Sequence, residues 1–210
     1  MISEFVEFDS LPTRRSETGS LLHSRSEYHC SRARLLDPKP GERVLDACAA
    51  PGGKTGYIAQ LMENLGIIVA CDRDLERLET LKENMARLGV VIAHILRHDW
   101  TSSHVPPEIA TLAPFDRILV DSPCSNTGVM RRRADLRWRL RRTDFDRMQQ
   151  LQIEIVRALI PLLKPNGVLV YSTCSLEPEE NKEVVRRILA QTSSSELRNG
   201  KIFAALSRWF

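Results

Sequence analysis

The chain has 210 residues, 42% of them hydrophobic and 27% charged, with a formal net charge of +3; that supports one sizeable core and is ordinary for a globular protein. No apolar stretch approaches the roughly 20 residues that cross a bilayer, and the N-terminus "MISEFVEFDSLPTRR" lacks the basic-then-apolar order of a secretory signal, so the expectation is a cytoplasmic protein with no membrane contact. Five cysteines (Cys30, Cys48, Cys71, Cys124, Cys174) lie scattered without a C-x-x-C pair or a Cys/His cluster, which argues against a metal site and a disulfide framework.

Residues 1–40 are polar, Ser/Arg-rich and weakly periodic, and read as a short N-terminal extension with one helix near Glu27 to Leu36, closed by Pro38 and Pro40. From residue 41 to 210 the pattern is regular enough for a single domain. "RVLDACA" is a strand followed by a helix from about Lys54; "IIVACD" is a second strand, followed by the helix "DLERLETLKENMARLG". In that helix Leu75, Leu78, Leu81, Met85 and Leu88 recur at three- and four-residue steps, which predicts one buried face. "VVIAHIL" and "RILVDS" are the third and fourth strands. A long helix runs from about Asp144 to Leu163 and is stopped by Pro165 and Gly167 in "LKPNG". "GVLVYSTCS", the helix "EPEENKEVVRRILAQ" and a last edge strand in "GKIFAALSRW" complete the chain. Near-continuously apolar strands alternating with amphipathic helices predict a doubly wound α/β fold with a mostly parallel sheet covered on both faces.

Ligands of such sheets sit at the carboxyl ends of the strands, near the point where strand order reverses. "VLDACAAPGGKT" supplies a Gly-rich turn there. Ala49, Gly52 and Gly53 leave room for a ligand near the backbone, and the next helix offers free N–H groups. A P-loop needs a glycine where this chain has Cys48, despite the "GKT" and an "ILVD" run that imitates an NTPase acidic strand; the dinucleotide pattern G-x-G-x-x-G is absent. S-adenosylmethionine is the remaining candidate. Asp72 closes the second strand, about 20 residues beyond the turn, where a carboxylate accepts from ribose hydroxyls, and Asp99 is placed to meet the adenine amine. Acids at the ends of the first four strands (Asp46, Asp72, Asp99, Asp121) suit a cationic sulfonium and suit a triphosphate badly. Each alone also reads as a helix cap or turn residue.

Two thiols share this edge. Cys124 follows Asp121-Ser-Pro and Cys174 precedes Ser175, just past the fourth and fifth strands, which are neighbours in a doubly wound order. Cys48 and Cys71 read as core residues or backbone contributors. A thiol pair suits alkylation at carbon 5 of a pyrimidine: a thiolate adds to carbon 6, making carbon 5 nucleophilic, and a base later removes the proton from carbon 5. Asp121 fits a group holding ring nitrogen 3. Lys54 is a candidate to lower a thiol pKa or orient the site.

"DACAAPGGKT", "DSPCSNTGVMRRRADLRW" and "VYSTCSLEPEENKEVV" together resemble the Sun/Nop-type family of RNA cytosine-5 methyltransferases, related to bacterial 16S rRNA methyltransferase B. The resemblance runs from about Gly19 to Leu189 and to the last few residues. It implies a Rossmann-like S-adenosylmethionine-dependent methyltransferase domain over 41–210, with one of the usual seven strands missing in the short segment after Leu189. It further implies that Cys174 is the nucleophile and that Cys124 assists release of the methylated product. The cofactor contacts it implies are Cys48, Ala49, Ala50, Pro51, Gly52, Gly53, Lys54, Asp72, Asp99 and Asp121. The implied substrate is RNA, rRNA or tRNA. Family members usually carry an N-terminal RNA-binding domain, which 40 irregular residues do not form, so a protein partner supplying RNA binding is a further expectation.

"MRRRADLRWRLRR", residues 130 to 142, directly follows the Cys124 loop. Arg131, Arg132, Arg133 and Arg137, with Trp138 among them, suit phosphate contacts and base stacking, although a basic run is also the pattern of a solvated helix face. The chain has 24 Arg against 6 Lys, and the planar guanidinium is the better phosphate fork. Two other readings stay open: a methyltransferase acting on DNA or a small molecule, and a non-catalytic RNA-binding factor with the same fold.

Overall fold

The computed structural model describes residues 31–130, 135–192 and 200–205. Helical backbone at residues 31–36 (α1) leads through a turn to β1 (Arg43–Asp46). Then follow α2 (Gly53–Leu61), β2 (Ile67–Asp72), α3 (Leu75–Arg87), β3 (Ala93–Arg97), the short α4 (Pro107–Ala110) and β4 (Phe115–Asp121). The second half holds α5 (Leu136–Arg139), α6 (Arg142–Leu159), β5 (Leu163–Ser172), α7 (Lys182–Gln191) and β6 (Lys201–Ala205). The sheet has six strands in the order β3-β2-β1-β4-β5-β6, and every pairing is parallel. Strand order reverses at β1, which lies between β2 and β4, so the crevice at its carboxyl end is where a ligand is expected.

Alternation along the strands sorts the core into two layers. Leu45, Val69, Ile118, Val120, Leu169 and Tyr171 pack against Ile153, Val156 and Leu159 of α6 and Val184, Val185 and Ile188 of α7. Their neighbours Val44, Ile68, Leu119, Val168 and Val170 face Ile58 and Ala59 of α2 and Met62 just after it, together with Ala33 and Leu36 of α1. Thus α1, assigned to the extension by its sequence, is part of this packing. Each fully buried aliphatic side chain stabilises by roughly 1.5–3 kcal/mol. Leu119→Ala, in the middle of the sheet and fully buried, would cost about 2–5 kcal/mol.

The predicted fold stands, with local corrections. In α3, Leu78, Leu81 and Met85 are buried, while Leu75 and Leu88, at its two ends, are exposed. The "LKPNG" segment does not close a helix. Helix α6 ends at Leu159, a single 3-10 turn covers Ile160–Leu162, and β5 begins at Leu163. Leu163 pairs with Phe115 and Val168 with Arg117, so the residues between them bulge out of the ladder. Pro165 has no N–H to offer a ladder, and Asn166 takes a left-handed φ of 62°. A side chain at Gly167 would meet the Lys164 carbonyl at 2.8 Å and the Asp116 carbonyl at 3.0 Å. The same residues that signal a stop thus build a bulged strand start. Among the described residues no helix is long and apolar enough to cross a membrane, and no group of His, Cys, Asp or Glu could hold a metal ion.

Candidate active site

The turn after β1 is fixed by its backbone. Ala49 N–H donates to the Cys71 carbonyl (2.8 Å), Gly52 N–H to the Ala49 carbonyl (2.8 Å), and the Trp100 indole N–H to the Ala47 carbonyl (2.8 Å). Gly52 is needed for packing as well as for its left-handed φ of 101°: a Cβ there would sit 2.5 Å from Leu81 Cδ1. The space where its side chain would stand is taken by Leu81 of α3. Asp72, at the end of β2, is 5% exposed and accepts from Ala50 N–H (3.2 Å) and Asp74 N–H (3.1 Å), with the Arg77 guanidinium at 3.4 Å.

A cavity of about 390 Å3 opens beside this turn, where the strand order reverses. It is lined by Cys48, Ala50, Asp72 and Asp99 on one side and by Asp121, Cys124, Asn126 and Cys174 on the other. Ala49, Pro51, Gly52, Gly53 and Lys54 are not among the lining residues. A second pocket of about 490 Å3, lined by Arg73, Asp74, Arg97, His98, Asp99 and Ser102, adjoins it at the β2–β3 end.

Asp46 does not join the acids of the cavity. It is fully buried beneath the turn and accepts from the Thr55 hydroxyl at 2.7 Å, tying β1 to α2. Burial pushes its carboxyl up to about 6, with the Thr55 bond and Lys54 opposing. Asp99 is exposed and takes both the N–H (3.0 Å) and the hydroxyl (2.8 Å) of Thr101, bonds that hold its pKa below the usual carboxylate range. Cys71 is buried, as its sequence context suggests; Cys48 lines the cavity, and burial raises both thiols.

At the ends of β4 and β5 the two remaining thiols meet. Cys124 Sγ and Cys174 Sγ are 3.0 Å apart, both free. The contact splits their acidities. Hydrogen bonding with Cys124 lowers the Cys174 pKa against the opposing effects of burial and Asp121, with Arg32 adding to the lowering. The same bond, together with burial, raises Cys124. Cys174 is therefore the sulfur that ionises first, with Cys124 donating to it. Asn126, at a left-handed φ of 61°, spans the pair: its Nδ2 donates to the Cys124 carbonyl (3.0 Å) and its Oδ1 accepts from Cys174 Sγ (2.9 Å).

Asp121 stands beside them. Lys54 Nζ lies 2.6 Å from its Oδ2, and the Ser172 hydroxyl donates to its Oδ1 at 2.8 Å. Burial alone would push this carboxyl up, but Lys54 and then Arg32 hold it below its ordinary value. Lys54 is thus turned to the acid rather than to a thiol.

Glu180 connects the two thiol loops from behind. It is fully buried. Its Oε2 accepts from Ser125 N–H and from the Gln152 amide, each at 2.9 Å, and its Oε1 accepts from the Ser175 hydroxyl at 2.9 Å. Ser125 and Ser175 are the residues immediately after the two cysteines. The Gly128 N–H to Cys174 carbonyl bond (2.9 Å) and the Leu176 N–H to Thr127 hydroxyl bond (2.8 Å) add further links between the loops.

The structure thus gathers Cys48, Ala50, Asp72, Asp99, Asp121, Cys124 and Cys174 around one cavity, with Lys54 bound to one of its walls. Arg131, Arg132 and Arg133 and the side chain of Arg137 lie outside the described residues. Trp138, on α5, is 89% exposed. Sequence reading missed Arg32, Asn126 and Glu180. Asn126 carried a weak signal, a polar residue between a cysteine loop and a Thr-Gly turn; Glu180 lay hidden in an acidic run.

The family model for 16S rRNA methyltransferase RsmB/F matches residues 33–207. The probable ribosomal RNA small subunit methyltransferase B of Bacillus subtilis (strain 168) is 43% identical over 159 residues, which cover 76% of this chain and 35% of that protein. The ribosomal RNA small subunit methyltransferase B of Yersinia enterocolitica is 43% identical over 174 residues, 83% of this chain and 39% of its own length. The chain therefore spans well under half of these curated relatives. Among solved structures, NSun6 from Pyrococcus horikoshii with SFG has a TM-score of 0.69 and 36% identity, covering 78% of this chain and 40% of that one. A methyltransferase homologue from the same organism has a TM-score of 0.66 and 41% identity, covering 78% and 49%.

Proposed function

The chain belongs to the 16S rRNA methyltransferase RsmB/F family, and on that footing we propose that it carries the catalytic machinery of an S-adenosylmethionine-dependent methylation of carbon 5 of cytosine in RNA. The contact between the Cys124 and Cys174 sulfurs at the cavity wall, beside Asp121, carries this reading.

S-adenosylmethionine fits the β1–β2 side of the cavity. The buried Asp72 carboxylate takes one N–H on Oδ1, and a carboxylate oxygen has room for a second donor, such as a ribose hydroxyl. Asp99 offers an acceptor for the adenine amine, and the acids favour a cation. When bound, the cofactor supplies a methyl group on a positively charged sulfur.

The protein's own groups divide the remaining work. Cys174, the more acidic thiol, adds as thiolate to carbon 6 of the pyrimidine, and the displaced electron pair makes carbon 5 nucleophilic. Asp121 stays ionised, so it holds the base as an acceptor, towards the exocyclic amine of cytosine. A uracil would set a carbonyl oxygen against that carboxylate, and the like partial charges favour cytosine. Once carbon 5 is methylated, Cys124 gives up its own proton to water and, as thiolate, removes the proton from carbon 5. The electron pair then re-forms the ring double bond and expels Cys174 as thiolate. Lys54 keeps Asp121 charged and in place. Trp138 and the arginines around it suit the RNA strand, whether rRNA or tRNA, with a protein partner adding affinity.

The test is adduct trapping. With RNA and S-adenosylmethionine, Cys124→Ala should accumulate a protein–RNA adduct that survives denaturing electrophoresis, because release is blocked. Cys174→Ala should form none and lose methyl transfer by more than about 1,000-fold. Methyl transfer retained by Cys174→Ala would overturn the proposal, as would 5-methylcytosine failing to appear in RNA treated with the unaltered protein.

A further inference from the structure

A second buried cation reaches the thiol site from α1. Arg32 is 2% exposed. Its Nη2 donates to the Thr173 carbonyl at 2.9 Å, one residue before Cys174, and its Nε lies 3.6 Å from Asp121 Oδ1. Burying a guanidinium costs several kcal/mol unless its charge and donors are used. Here the charge answers a carboxylate, and one nitrogen of the fork, Nη2, bonds the backbone of the neighbouring strand end. Asp121 is consequently flanked by a cation on each oxygen, Lys54 on Oδ2 and Arg32 on Oδ1.

We propose that Arg32 is a positioning residue for the reaction assigned above, and the inference rests on that reading: one guanidinium ties the backbone beside Cys174 to the Asp121 carboxylate, fixing the attacking sulfur relative to the acid that holds the base. Its charge has a second effect. Cys174 meets Asp121 from β4, Cys124 and Asn126 from the loop after β4, and Arg32 from α1, while Lys54 on α2, Asp46 on β1 and Glu180 ahead of α7 stand behind these. Asp121 opposes ionisation of the thiol and Arg32 favours it. Arg32 thus offsets the acid that the base requires, without withdrawing it.

The rate of Cys174 alkylation by iodoacetamide, resolved by peptide mass and followed against pH, tests this apart from methylation. Loss of a nearby positive charge raises a thiol pKa, so Arg32→Met should shift the midpoint to higher pH and slow alkylation near neutrality by about 10-fold, the equivalent of one pH unit. Arg32→Lys keeps the charge and loses the planar fork; it should keep the midpoint near that of the unaltered protein but lower kcat for methyl transfer to RNA. If Arg32→Met does not fold, Arg32→Gln, which keeps a donor for Thr173 without the charge, makes the same comparison. An unchanged midpoint in the folded Met or Gln variant overturns the proposal, and so do Lys and Met variants equally impaired at every pH, the mark of a merely structural role. A shifted midpoint in a protein that methylates no RNA would instead count against the proposed function and leave the link between Arg32 and the thiol standing.

Discussion

The β4–β5 end of the sheet edge and its β2–β3 end are built in opposite ways. Around the thiols, Glu180, Gln152, Ser125, Ser175 and Thr127 form a buried hydrogen-bonded mesh joining two loops. Around Asp72 and Asp99 there are single links rather than a mesh: Asp72 takes the Ala50 and Asp74 N–H groups, Asp99 takes Thr101, and the surface opens into a second pocket. The difference matches what each end must do. Covalent chemistry needs reacting atoms held to a fraction of an ångström, which takes side chains locked from behind. A small molecule that is bound and then released needs acceptors along an accessible wall.

The largest effect expected from breaking this contrast is at its hub. Glu180→Ala removes the acceptor of the Ser125 N–H, the Ser175 hydroxyl and the Gln152 amide, of which the last two keep weaker links to Thr127 and Pro123. Hydrogen bonds to a charged group contribute about 1.5–3 kcal/mol each, so denaturant unfolding should show a loss of at least about 3 kcal/mol, with Glu180→Gln in between. A loss below about 1 kcal/mol would mean the mesh does not hold the loops. Next in size is Asp72→Asn, which should weaken binding of S-adenosylhomocysteine by about 10-fold, roughly 1.4 kcal/mol, measured by calorimetry. It should leave the pH profile of Cys174 alkylation where it was. If that profile moved as well, the two ends would not be separate. Smallest is the RNA contact: Trp138→Ala should cost about 1 kcal/mol of RNA affinity, the lower end for one stacked base. Neutralising Arg131, Arg132 and Arg133 should flatten the salt dependence of binding. Equal slopes of affinity against salt would dismiss that arm as an RNA contact.

Legibility in the sequence follows the same divide. Strands and helices could be read because their apolar period is local, and so could the two cysteines, because each sits at a strand end whose neighbour the strand order dictates. Gly52 was half legible: its left-handed turn could be read, but the Leu81 side chain packed where its Cβ would stand comes from α3. "LKPNG" misled because proline and glycine signal both helix stops and strand bulges, and only the register against β4 decides. Arg32 was silent, and Asn126 and Glu180 nearly so, because the bonds that tie them across the thiol site (to Thr173, Cys174 and Ser125) span long stretches of sequence. Arg32 bonds to Thr173 across 141 positions, a distance over which no periodicity speaks.

The sulfur pair also implies an order of events. Whenever Cys174 is ionised, its charge makes Cys124 reluctant to give up its hydrogen. Once carbon occupies the first sulfur, that negative neighbour is gone, and the second becomes readier to lose its own hydrogen and turn into a base. In the proposed cycle, consuming the nucleophile would therefore arm the group that ends the cycle, a sequencing that needs no moving part.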